Sequence, residues 1–207
     1  MKGDFTRFTH DPEKQYNRVL KQQGRVALDA DWNEYAAIRS YLERTEAVDV
    51  IGCCGVPEKG NGFKVDAAVT SGDDLETLDD RAAGETLSIA PGRIYVDGLL
   101  CENPSAAEDG SAARARLITD QPFHPSFELP EDTGQYVVYL DVWERHITAR
   151  DDEEIKEVAL GGPDTTTRVQ TVWQAKMAPY DGDECPPCNW KARDEKPRLK
   201  AWAKPSE

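Results

Sequence analysis

Gly52, Gly55, Pro57, Gly60 and Gly62 fall within eleven positions and divide the chain into two regimes of apolar spacing. Glycine and proline at that density favour a loop over any regular element. Before the loop, Trp32, Tyr35, Ile38, Leu42, Val48 and Ile51 recur near the helical period, with Arg39, Glu43, Arg44 and Glu46 populating the other side. After it, Phe63, Val65, Ala67 and Val69 alternate with Lys64, Asp66 and Ala68, the period of a strand with one buried face. A chain that changes period once in this way is expected to fold as α+β.

The N-terminal part predicts a helical arm of two helices over residues 1–52. Asp11-Pro12 is a helix-starting pair, Tyr16, Val19 and Leu20 continue at helical spacing through Lys21, and Gly24 supplies a stop. Residues 25–28 then read as extended. Asp31 lies three positions before Glu34, the aspartate form of a capping box, and opens a second helix from about Trp32 to Val50.

A mainly antiparallel β domain is expected over 63–177. Leu87 to Ile89 and Arg93 to Val96 read as strands, and Asp97-Gly98 supplies a two-residue turn whose central positions prefer positive φ, returning through Leu99 to Glu102. Tyr136 to Trp143, rich in β-branched and aromatic residues, predicts a central strand. A last strand over 168–177 places Val169, Thr171, Trp173, Ala175 and Met177 on one face. The stretches 73–85 and 103–114 read as exposed loops. Residues 178–207, proline-rich and without apolar periodicity, read as an extended polar tail.

The 39 acidic residues against 25 basic ones give a formal charge of −14, which repels a phosphate backbone and argues against nucleic-acid binding. No run has the length of a membrane span, and the N-terminus lacks the apolar stretch of a secretory signal, so synthesis in the cytoplasm is expected. The five cysteines, Cys53, Cys54, Cys101, Cys185 and Cys188, form an odd set unlike a secreted disulfide framework.

The chemistry-bearing residues mostly have a plain structural explanation. Asp29, Asp31 and Glu34 are too few for an oxygen-rich cation loop and are better read as helix-capping. Cys185-x-x-Cys188 has the spacing of half a zinc site or of a disulfide, but no second pair at like spacing completes it. No metal or cofactor is therefore expected. His10, His124 and His146 lie beside no serine or cysteine in a nucleophile context, and Glu144-Arg145-His146 reads as a solvated strand end. Trp32, Trp143 and Trp173 sit in patterned segments as packing anchors. Trp190 and Trp202 lie in the polar tail, where burial against a partner suits them better.

Several separated motifs carry a resemblance: residues 1–8, Gln22 to Glu34, Ile89 to Gly98, Tyr139 to His146 and Glu157 to Thr165. In this order, over about residues 1–177, they resemble an uncharacterised bacterial domain family whose genes lie among those for extracellular contractile injection systems and phage-like baseplates. The resemblance implies a non-enzymatic structural or docking component in a baseplate, a fibre or spike attachment, or a cap. It also implies other particle subunits as partners, and homo-oligomeric or ring-bound copies in a particle that acts outside the cell. In that reading Trp32, Tyr35, Ile38 and Leu42 pack the arm against a neighbour, with Trp190 and Trp202 reaching another. The competing reading is a carbohydrate-binding or hydrolytic module carried by such a particle, which requires a groove lined by Trp or Tyr with two carboxylates about 5 to 10 Å apart.

Overall fold

The computed structural model describes residues 3–58, 62–67, 87–104, 116–130, 135–182 and 199–202. The expected loop over 73–85, residues 105–114 of the loop expected over 103–114, Cys185, Cys188 and Trp190 lie outside them. The chain forms two compact units. Unit 1 comprises Met1–Val50 and Glu144–Gln170, and unit 2 comprises Ile51–Trp143 and Thr171–Glu207.

Unit 1 holds one α-helix, not the expected two. Pro12–Lys14 forms a single 3-10 turn, capped by the Asp11 carboxylate accepting the Glu13 N–H and ended by Gln15 at a left-handed φ of 56°. No regular element follows until Asp29. Tyr16 and Leu20 are both exposed, so the short apolar pattern finds no surface to pack on. A segment that short does not offset the cost of helix nucleation by itself. The helix α1 spans Asp29–Ile51, and Gly52 follows at φ 91°, a left-handed conformation suited to ending a helix.

The early start of α1 corrects the expected cap. Asp31 is not the residue preceding the helix but its third member, and its carboxylate accepts the N–H of Leu28 at 3.4 Å. That is the backward-reaching half of a capping box, so the residue type is right and the position shifts by three. Asp29 and Asp31 both place negative charge in the first turn, where the helix dipole favours it.

Unit 2 contains small sheets. The first orders β1 (Cys54–Gly55), β4 (Gly92–Val96) and β5 (Leu99–Asn103), and the second β2 (Val65–Ala67), β3 (Leu87–Ile89) and β6 (Arg116–Leu117), each neighbouring pair antiparallel. The third places β7 (Tyr136–Ile147) between β8 (Arg168–Pro179) and β9 (Leu199–Trp202), with residues 144–147 of β7 and 168–170 of β8 belonging to unit 1. Asp97 at φ 47° and Gly98 at φ 76° make the β4–β5 turn, with Val96 opposite Leu99 as the turn chemistry requires. The tail, expected to be extended, contributes β9, whose Trp202 pairs with Tyr139 in antiparallel register.

The core of unit 2 gathers around Trp173, 1% exposed. Phe63 and Phe123 meet its ring edge-on at centroid distances of 4.8 and 6.1 Å, and its indole N–H donates to the Glu102 carbonyl at 2.9 Å. Residues 137–142 of β7 are buried without alternation, consistent with cover on both faces of the strand. Gln121 and Asp141 are bonded into this core. The Gln121 amide donates to the carbonyls of Ile118 and Ala175, and its oxygen accepts the Ala175 N–H at 2.6 Å. Asp141, fully buried, meets the Lys176 ammonium at 2.8 Å.

Trp173→Ala is expected to cost about 3 to 5 kcal/mol in urea unfolding, because it opens a cavity and leaves the Glu102 carbonyl without that donor. Val169→Ala, at an exposed position of the same strand, stays within about 0.5 kcal/mol.

Candidate functional site

The N-terminal segment is fastened to α1 by hydroxyl-carboxylate bonds across long sequence gaps. Thr6 gives both its N–H, at 3.0 Å, and its hydroxyl, at 2.7 Å, to the two oxygens of Asp29. The Thr9 hydroxyl donates to Glu34, which thereby acts as a tether acceptor one turn past the expected cap. His10 lies against Tyr41 with centroids 5.6 Å apart, and Phe5 touches the rings of Phe8 and His146. Sequence reasoning missed Thr6 and Thr9, because their partners lie 23 and 25 residues away and no local pattern marks them.

This tether sets which side of α1 is covered. Ala30 and Ile38 are buried, and Glu34 between them is partly so. Trp32, Tyr35 and Leu42 are exposed, Trp32 to 59%. The expectation that Trp32 anchors a core within the chain is thus corrected, and so is the placing of Ile38 on the side that meets a neighbour, because Ile38 is buried within the chain. Residues 32, 35 and 42 follow the helical repeat, and Val50, also exposed, lies about five turns beyond Trp32 on the same line. The Arg39–Glu43 ion pair, 2.6 Å, crosses this apolar strip. Lys21 sits 3.9 Å from the centroid of the Trp32 ring, a cation-π contact that holds the preceding segment over the strip's first residue.

Beside Trp32 the motif segment forms a pocket of about 180 Å³. Val19, Leu20, Val26 and Ala27 supply apolar lining, and Lys21, Arg25 and Asp31 supply charge.

Elsewhere the arrangement offers little chemistry. Glu144 and Arg145 are exposed, Arg145 pairs with Asp151 at 3.3 Å, and the His146 ring meets the Thr167 hydroxyl at 2.8 Å. Burial, and then the positive charge of Lys176, lower His124 below the ordinary imidazole range, and its ring rests edge-on against Phe127. Burial pushes the Cys101 thiol up to about 12, which keeps it a protonated core group. The cavity lined by Phe63, Val65, Ile89 and Val138 measures about 20 Å³. Among the described residues no group of three or more His, Cys, Asp or Glu is placed to hold a metal ion, and no helix is long and apolar enough to cross a membrane. Trp202 lies on β9, opposite Tyr139.

The chain belongs to a family of unknown function, DUF6519, whose model matches residues 1–184. No curated protein and no solved structure matches the sequence. The match spans all the exposed positions of α1 and stops before Cys185, Cys188 and Trp190.

The tether carries a pH signature. The Thr6 hydroxyl, and then its N–H, hold the Asp29 carboxyl below the usual carboxylate range. A group depressed in the folded state contributes stability above its unfolded value and loses it as pH falls through the folded one. The tether should therefore persist through neutral and mildly acidic pH and release only below the ordinary range. In an NMR titration of the side-chain carboxyls, Thr6→Ala should move Asp29 partway back up, since the backbone donor remains. An Asp29 titration unchanged by Thr6→Ala would contradict the assignment.

Proposed function

We propose that this chain is a non-enzymatic docking component of a contractile, phage-tail-like injection apparatus, in its baseplate, its fibre or spike attachment, or its cap. The observation that carries the docking part is the exposed strip of Trp32, Tyr35, Leu42 and Val50 on one side of α1. Large aromatic side chains beside an arginine are what partner surfaces are enriched in, and they gain most when a neighbour excludes water from them. The apparatus itself is supported by the order and spacing of the five motifs that resemble the injection-system-associated family. Other subunits of the particle are the proposed partners, and copies of this chain are expected to occupy equivalent positions by symmetry.

The carbohydrate or hydrolytic alternative has less behind it. A glycosidase-type site needs paired carboxylates about 5 to 10 Å apart along an aromatic groove. The pocket beside Trp32 is lined by one carboxylate, Asp31, and by no Trp or Tyr, and the apolar cavity around Phe63 is lined by no carboxylate.

Particles purified from cells producing the Trp32→Ala, Tyr35→Ala double variant test this. The chain should stay within about 1 kcal/mol of the parent's stability, because both side chains are exposed, yet be lost from the particle. Retention at the parent's level, or absence of the parent chain from particles, would overturn the proposal.

A further inference from the structure

Unit 1 carries a second exposed apolar feature, a closed loop. Residues 157–163 close on themselves: the Glu157 N–H donates to the Pro163 carbonyl at 3.1 Å, and the Gly162 N–H donates to the Glu157 carbonyl at 2.9 Å. Within the loop, Val158–Leu160 is a 3-10 turn whose Ala159 N–H is capped by the Glu157 side chain. Gly161 and Gly162, at φ 87° and 88°, take the left-handed backbone that lets the chain turn back. The loop buries none of its turn residues, and Val158 is 85% and Leu160 70% exposed. Its hydrogen bonds fix a shape that holds two neighbouring aliphatic side chains in water.

The pocket beside Trp32 is its complement. Its volume, about 180 Å³, exceeds the ~150 Å³ that accepts a benzene molecule in an engineered cavity, so it has room for an aliphatic side chain. Two of its lining residues, Leu20 and Val26, are themselves exposed. Charge follows the same pairing. Residues 14–28 carry Lys14, Arg18, Lys21 and Arg25 with no acidic residue, in a chain that is otherwise strongly acidic. Residues 151–157, leading into the loop, carry five carboxylates against Lys156.

We propose that the Val158/Leu160 loop of one copy seats in the pocket between Leu20 and Val26 of a second copy, with Lys21 and Arg25 facing the acidic 151–157 stretch. The contact is heterologous: each copy offers one knob and one pocket, so copies add head to tail and close into a ring or extend as a filament. The proposal rests on the docking reading and names one of the partners as this chain itself.

Sedimentation velocity on the full chain tests it. The parent should self-associate with rising concentration and less so at high salt, which screens the charge pairing. Leu160→Asp, which spoils the knob, and Ala27→Trp, which fills the pocket, should each weaken self-association about tenfold or more. Mixed one to one, the two variants should form a heterodimer and nothing larger, since each retains the half the other lacks. Val158→Asp gives an independent knob variant, and near-UV circular dichroism checks that every variant is folded. A parent that stays monomeric at hundreds of micromolar, folded variants that associate like the parent, or folded variants whose mixture yields no dimer would overturn the proposal. Incorporation into particles through the Trp32 strip is read separately, so a chain that is incorporated but does not self-associate sinks only this inference.

Discussion

A helix of 23 residues that fully buries Ala30 and Ile38 alone is not held by packing of a broad apolar face. Most helical stability in proteins comes from tertiary packing of an apolar face, and this helix has little of it. Here polar fastening makes up part of the difference. Thr6 and Thr9 bind Asp29 and Glu34, Asp31 reaches back to the Leu28 N–H, and Arg39 pairs with Glu43. Contacts of this kind at or near the surface are screened by solvent, so together they orient the helix more than they stabilise it. The arrangement leaves the Trp32 side of α1 uncovered, and the proposed docking role follows from that.

Unit 2 is built on the opposite principle. Trp173, Phe63, Phe123 and the covered stretch of β7 supply a dry core, with a few polar side chains bonded inside it. Gln121 uses its amide like a short strand against Ala175, and Asp141 faces Lys176. Removing one member of such a buried pair strands the other, so these residues define one packing for the sheet rather than offering a reactive group. The aliphatic and aromatic side chains around the cavity beside Phe63 and the burial that keeps the Cys101 thiol protonated fit that role.

Much of unit 2 was legible in the sequence because its signals are local. Asp97-Gly98 dictates a hairpin, the run from Tyr136 to Trp143 dictates a covered strand, and Gly52 ends the helix where the apolar period changes. The arm was less legible. Tyr16, Val19 and Leu20 have helical spacing, but Tyr16 and Leu20 stay exposed, and the first expected helix reduces to a 3-10 turn. The helix start moved by three residues because an aspartate serves equally as the capping residue and as the third residue reaching back. Apolar spacing alone also does not say whether a face is covered, which is why Trp32 read as a core anchor. The grouping of 144–170 with the N-terminal unit depends on tertiary contacts that no local pattern encodes. Val158 and Leu160 lie in one of the five motifs, but their exposure depends on the hydrogen bonds that close the loop around them, which spacing does not encode.

The claim that the Trp32 strip is a covered surface in the working assembly is tested most directly by hydroxyl-radical footprinting of the isolated chain and of purified particles, with oxidation read residue by residue. Trp32 and Tyr35 should be oxidised in the isolated chain and protected in the particle, while Trp173, buried in its own unit, should be protected in both. Equal oxidation of Trp32 in the two samples would contradict the account.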